Sequence, residues 1–100
     1  MIVLEENLAT VPTLFVEKRD GRRVVFDVDK IDKALHKAAD KVMDVTPLVE
    51  KRLNGLLERI VAEIHSRFPQ GVKIYEIQNI VEHELLEAKE YALAEEYITY

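Results

Sequence analysis

Four cations, Lys18, Arg19, Arg22 and Arg23, stand on either side of Asp20-Gly21 within the run Val16-Glu17-Lys18-Arg19-Asp20-Gly21-Arg22-Arg23-Val24-Val25-Phe26-Asp27. The chemistry such a group performs is anion binding, with Lys as a point charge and Arg as a bidentate fork for phosphate oxygens. Glu17 and Asp20 balance half of that charge. Asp-Gly between β-prone runs predicts a hairpin with a two-residue type I′ turn, because that turn needs positive φ at both central residues. In that register Arg19 faces Arg22, Lys18 faces Arg23 and Glu17 faces Val24. Like charges then oppose each other across the strands, which normally destabilises a pair and which a polyanion would relieve. The competing interpretation is a solvated tip whose charge serves solubility.

The hairpin delivers the chain to Asp27, a good N-cap, and the helix that starts there carries Lys30 in its first turn. Helix N-termini favour anions through their unpaired N–H groups and their dipole, so cations and helix start can converge on one phosphate. Asp27 and Asp29 offer the plainer account of Lys30, as its local counter-charges. Other chemistries find less support. His36, His65 and His83 lie on three predicted helices without the spacing of a helical zinc motif, and read as surface histidines. The chain has no Cys, which excludes disulfides, thiolate metal sites and cysteine nucleophiles within it. Tyr75, Tyr91, Tyr97 and Tyr100 suit half-buried packing or a subunit contact. No glycine-rich loop of the P-loop or Rossmann kind is present, so a bound nucleotide must be held differently.

The elements that position these groups follow from periodicity. Thr13 to Lys18 and Arg22 to Phe26 form the hairpin, with Phe15, Val24 and Phe26 on one face and Leu14, Val16 and Val25 on the other. Ile31, Leu35, Ala38 and Val42 follow Asp27 at helical spacing. Thr46-Pro47 caps and starts a second helix through Val49, Leu53, Leu56, Leu57, Ile60, Val61, Ile64 and Phe68, closed by Pro69-Gln70-Gly71. Gly55 inside it suggests a close approach by a neighbouring element. Val72-Lys73-Ile74 reads as a short strand added to the hairpin. Ile77, Ile80, Val81, Leu85 and Ala88 mark a third helix, and Leu93, Ala94, Tyr97 and Ile98 a last segment; pattern alone does not separate one long helix from two, since Glu87-Ala88-Lys89-Glu90 holds no Gly or Pro, and a break there is the favoured reading. The expected fold is α+β and mostly α: a four-helix bundle capped by a small β-hairpin or three-stranded sheet.

One hundred residues, 48% of them hydrophobic, suit one domain with a modest core. We expect a leader over residues 1–12 and a domain over 13–100, as a piece of a longer chain. The net charge of −5 argues against direct nucleic-acid binding, which needs a broad basic surface. Acid gathers late, in Glu76, Glu82, Glu84, Glu87, Glu90, Glu95 and Glu96 against Lys89. No run is long and apolar enough for a membrane span and residues 1–11 do not form a signal peptide, so a cytoplasmic location and no membrane partner are expected.

The run Val16 to Arg22, then Phe26-Asp27-Val28-Asp29-Lys30-Ile31, then Ile74-Tyr75-Glu76-Ile77-Gln78 and the closing Tyr97-Ile98-Thr99-Tyr100, resembles the signature of the ATP-cone domain over residues 14–100. The family's fold, a helical bundle capped by a small sheet, agrees with the pattern above. The resemblance implies a regulatory module of a ribonucleotide reductase, in which ATP favours the active enzyme and dATP, with Mg²⁺, switches it off through quaternary structure. The early residues look most like the anaerobic, glycyl-radical ribonucleoside-triphosphate reductases. The implied partners are the nucleotide effector, the catalytic domain of the same chain and, through the parent protein, a homo-oligomer; no catalytic residue is implied here. Transferred by position, Lys18 and Arg19 would hold the phosphates, with Arg22 beside them. The backbone near Val16 and the segment from Val24 through Asp27 to Lys30 would line the nucleotide. Ile31 would pack on the base, and Ile74 and Gln78 would reach it from the third helix.

Two other functions fit parts of the sequence. One is the ATP-cone of a nucleotide-sensing transcriptional repressor, which follows a Cys-rich zinc ribbon that this chain lacks. The other is a helical adaptor that binds a basic partner through its acidic C-terminal face and takes no nucleotide.

Overall fold

The computed structural model describes residues 14–99. The expected leader over 1–12, with Thr13 and Tyr100, lies outside them. The chain runs β1 (Phe15–Glu17), β2 (Arg23–Val25), α1 (Val28–Val42), α2 (Pro47–Arg67), β3 (Val72–Lys73), α3 (Ile74–Glu87) and α4 (Tyr91–Thr99). Four helices carry a three-stranded sheet of order β2-β1-β3, so the α+β, mainly helical expectation holds.

Local chemistry fixes the helix starts. Asp27 caps α1 by accepting the Asp29 N–H at 3.0 Å, and Thr46 caps α2 by accepting the Val49 N–H at 3.2 Å with Pro47 beside it. The Lys73 N–H donates to the Glu76 carboxylate at 2.9 Å, which starts α3 immediately after β3. The break between α3 and α4 falls where it was expected. Lys89 there takes φ 61°, a left-handed conformation, and its N–H closes on the Leu86 carbonyl at 3.0 Å.

Each helix packs on two neighbours, α1 on α2 and α4, and α3 on α2 and α4, which closes the bundle. Leu35, Ile60, Ile64, Val81, Leu85 and Leu93 fill its centre with essentially no exposure. Leu14, Val16 and Val72 continue that core into the sheet. No helix of the described residues is long and apolar enough to cross a membrane.

The hairpin differs from the sequence expectation by one residue. Strand partners are Phe15 with Val25, Val16 with Val24 and Glu17 with Arg23. The Lys18 N–H donates to the Arg22 carbonyl and the Gly21 N–H to the Lys18 carbonyl, giving a three-residue tip with Gly21 at φ +89°. This is a type I turn ended by a left-handed residue rather than the two-residue type I′ turn. The reason lies in burial, since a one-residue slip flips every side chain. Only this register puts Leu14, Val16, Val24 and Phe26 together against the core. Phe15 and Val25 then face outward, and Glu17 meets Arg23, an opposite charge, across the strands. Gly55 departs as well: a Cβ there would meet nothing within 4 Å, so no element approaches it closely.

Candidate nucleotide site

β3 runs parallel to β1, pairing Val16 with Val72 and Glu17 with Lys73. Because α1 follows β2 and α3 follows β3, the first turns of both helices lie beside the inner face of the sheet. There they enclose a cavity of about 190 Å³. Its walls are apolar side chains of the sheet and the two helix starts, with Val16, Val24, Phe26, Ile31, Ile74 and Ile77 among them. The Phe26 ring is braced from outside by His65, edge-on at 5.7 Å between centroids. Lys18, Asp27, Lys30 and Gln78 bring polar groups to its rim.

A wider pocket of about 380 Å³ adjoins it, bordered by Lys18, Arg19, Asp20, Arg22, Ile74 and Gln78. Lys18, Ile74 and Gln78 belong to both spaces, so an apolar slot opens into a cationic vestibule. All ten residues expected from sequence line one or the other: Val16, Lys18, Val24, Asp27, Lys30, Ile31, Ile74 and Gln78 the slot, and Arg19 and Arg22 the vestibule.

The four cations are not equivalent. Arg22 is engaged with Asp20, Nε to Oδ2 at 2.8 Å, and the Arg22 N–H also donates to Asp20 Oδ1. Those two bonds, backbone first, hold the Asp20 carboxyl below its ordinary value. Arg23 points to the opposite face of the sheet, where its guanidinium covers the Phe15 ring at 4.9 Å. That leaves Lys18 and Arg19 as the vestibule's uncommitted charges among these four. Asp27 keeps one carboxylate oxygen on the Asp29 N–H as the helix cap.

Two residues of the slot escaped the sequence reading, as did Asp20 at the vestibule. Ile77 sits one helical turn after Ile74, a spacing that foretold it. Tyr97 comes from α4, and it was visible in the closing Tyr-Ile-Thr-Tyr string, yet nothing in that string aims it at the slot. It is half-buried, and burial pushes its phenol above the ordinary 10.0, so it lines the wall as a neutral group. Of the histidines, His65 and His83 are exposed as expected. His36 is half-buried instead, its Nδ1 at 2.9 Å from the Asp32 carbonyl and its Nε2 on the Glu50 carboxylate, tying α1 to α2. No group of three or more His, Asp or Glu side chains among the described residues is placed to hold a metal ion.

A small sheet on a helical bundle, with a half-apolar, half-cationic cleft between them, defines a ligand-binding module. The chain belongs to the ATP-cone family, whose model, described as the ATP cone domain, matches residues 14–100. Its relatives include proteins named ribonucleoside-diphosphate reductase subunit alpha. That of Chlamydia muridarum is 40% identical over 95 residues, covering 88% of this chain and 9% of the relative. That of Chlamydia trachomatis serovar D is 41% identical over the same shares. That of Chlamydia pneumoniae is 34% identical over 88 residues, 83% of this chain and 8% of the relative. The chain therefore spans under a tenth of the length of these relatives.

Proposed function

We propose that the chain is the nucleotide-sensing regulatory domain of a ribonucleotide reductase large subunit, taking ATP or dATP as effector. The observation that carries this is the continuity of slot and vestibule through Lys18, Ile74 and Gln78. A molecule with a flat apolar end and a polyanionic end matches that pair of spaces. The base enters the slot against Ile31, with Val16 and Val24 on the sheet side. Lys18 and Arg19 hold the phosphates in the vestibule, while Lys30 adds positive charge at the rim of the slot. Gln78, common to both spaces, lies level with the sugar. Magnesium would come with the triphosphate, whose charge it would partly neutralise beside Lys18 and Arg19.

Two effectors that differ by one hydroxyl act oppositely only if they favour different conformations or assemblies. A lost hydrogen bond to that hydroxyl is worth about 0.5–1.5 kcal/mol, so sugar pucker and packing must add to the discrimination. The catalytic domain belongs to the rest of the parent chain, which acts in the cytoplasm as a homo-oligomer. For that parent, the named relatives favour a diphosphate reductase over the anaerobic triphosphate reductase suggested by the early residues. The adaptor reading loses its main support. Glu84, Glu90 and Glu96 are tied to Arg59, Arg52 and Lys41 of the neighbouring helices, which accounts for much of the acidic face without a basic partner.

Calorimetric titration with ATP and with dATP in Mg²⁺, followed by light scattering, tests the proposal. Micromolar binding, about −8 kcal/mol, supports it, and different masses with the two ligands place the switch in this domain. Absence of heat with both ligands refutes it.

A further inference from the structure

Among the described residues that border the vestibule, Asp20 is the one acid. A carboxylate beside a phosphate site costs affinity twice, because it repels the phosphates and competes with them for the cations. The hairpin tip meets both costs. Asp20 Oδ2 accepts from the Arg22 Nε–H at 2.8 Å and Oδ1 from the Arg22 backbone N–H at 3.1 Å, so one residue takes both oxygens. The tip dictates this partner, since the bond from the Lys18 N–H to the Arg22 carbonyl sets Arg22 across from Lys18 and two residues beyond Asp20. Both side chains stand in solvent, where an ion pair adds little to stability. The consequence of the pair is where it puts the carboxylate. The Asp20 carboxyl stays below its ordinary value through the Arg22 backbone bond first and the Arg22 side chain second, with the Lys18 charge adding a smaller part. Lys18 therefore already feels this carboxylate across the tip.

We propose that Arg22 is a positioning residue of the nucleotide site: it holds the Asp20 carboxylate away from Lys18 and Arg19, leaving those two cations unshared for the phosphates, and makes no phosphate contact of its own. The inference rests on the cleft being a nucleotide site, and it gives Arg22 a different task from the place beside the phosphates that the family resemblance implies. With Arg22 present, three cations at the border face one acid. Without it, Lys18 and Arg19 share that acid with the ligand. The carboxylate stays at the border in that case, because the backbone N–H on Oδ1 is supplied by any residue at position 22 except proline.

Calorimetric titration with ATP in Mg²⁺ on the full chain, Arg22→Ala, Asp20→Asn and the double variant is the test. Arg22→Ala should weaken ATP binding about fivefold and Asp20→Asn should tighten it about threefold, whereas in the Asp20→Asn background the loss of Arg22 should change affinity by less than about twofold. Asn keeps the acceptor for the Arg22 N–H, so the tip geometry persists, and circular dichroism checks that the fold is kept. In NMR spectra the Arg22 Nε–H signal should hold its position at saturating ATP while the Lys18 and Arg19 amides move. An equal loss from Arg22→Ala in both backgrounds, or a displaced Nε–H signal, overturns the proposal, since Arg22 would then act on the phosphates directly. So does an Arg22→Ala chain that binds ATP as tightly as the native one. Weaker binding by Asp20→Asn overturns it as well and makes the carboxylate a partner of the Mg²⁺. Absence of binding by the native chain refutes the nucleotide site itself, and the role of Arg22 with it.

Discussion

The Lys18 amide donates to the Arg22 carbonyl at 2.7 Å, so the hairpin tip is Arg19-Asp20-Gly21 and its last residue carries φ +89°. A side chain at Gly21 meets no neighbour but enters a left-handed conformation. Gly21→Ala should therefore cost about 1–2 kcal/mol in urea unfolding, with Gly21→Asn milder. Unchanged stability would argue for a tip of different geometry.

Lys18 and Arg19 border the vestibule, whereas Arg23 covers Phe15 on the far face. Replacing Lys18 or Arg19 with Ala should weaken ATP binding by about 1.5–3 kcal/mol each, as loss of a charge-assisted bond, with the helical signal intact. Arg23→Ala should leave ATP affinity almost unaltered. Calorimetry on the three variants separates a located site from general attraction by a basic hairpin, under which all three would weaken alike.

His36 links α1 to α2, and its imidazole is held above its ordinary value of 6.5. The hydrogen bond to the Asp32 carbonyl is the main cause; partial burial opposes it, and Glu50 and the Asp32 charge add to it. The raised folded value means that protonation stabilises the fold. That contribution is complete below the unfolded value near 6.5 and disappears as pH rises through the higher folded value. Urea midpoints at about pH 6 and about pH 8 should fall for the native chain relative to His36→Gln, which lacks the titrating group. Parallel midpoints in the two proteins would contradict this.

Gly55 lies within α2 with open space where its Cβ would stand. Gly55→Ala should stabilise the chain by about 0.5–1 kcal/mol in the same unfolding assay. A loss of stability would show that the close approach anticipated from sequence does occur.

Capping chemistry made the helices legible, since Asp27 and Thr46-Pro47 state their starts in residue types alone. The hairpin register was not legible, because Asp-Gly satisfies two turn geometries and the choice rests on which strand face meets the bundle. The left-handed Lys89 was likewise hidden: with no Gly or Pro in Glu87-Glu90 the apolar pattern fits one long helix as well as two, so a break was favoured there without its geometry being legible. The cationic rim of the site could be read from the hairpin string. Of its apolar lining, Val16, Val24, Ile31 and Ile74 were implied by the resemblance; Tyr97 was not legible, because it reaches the slot only once α4 has packed against α1.

Amide chemical shifts of the uniformly labelled chain during titration with ATP test the central claim most directly. The account predicts saturable shifts concentrated at Val16, Lys18, Arg19, Lys30, Ile31, Ile74 and Gln78, with Arg59 and the middle of α2 unmoved. Saturable shifts centred elsewhere, or none at millimolar ATP, would contradict it.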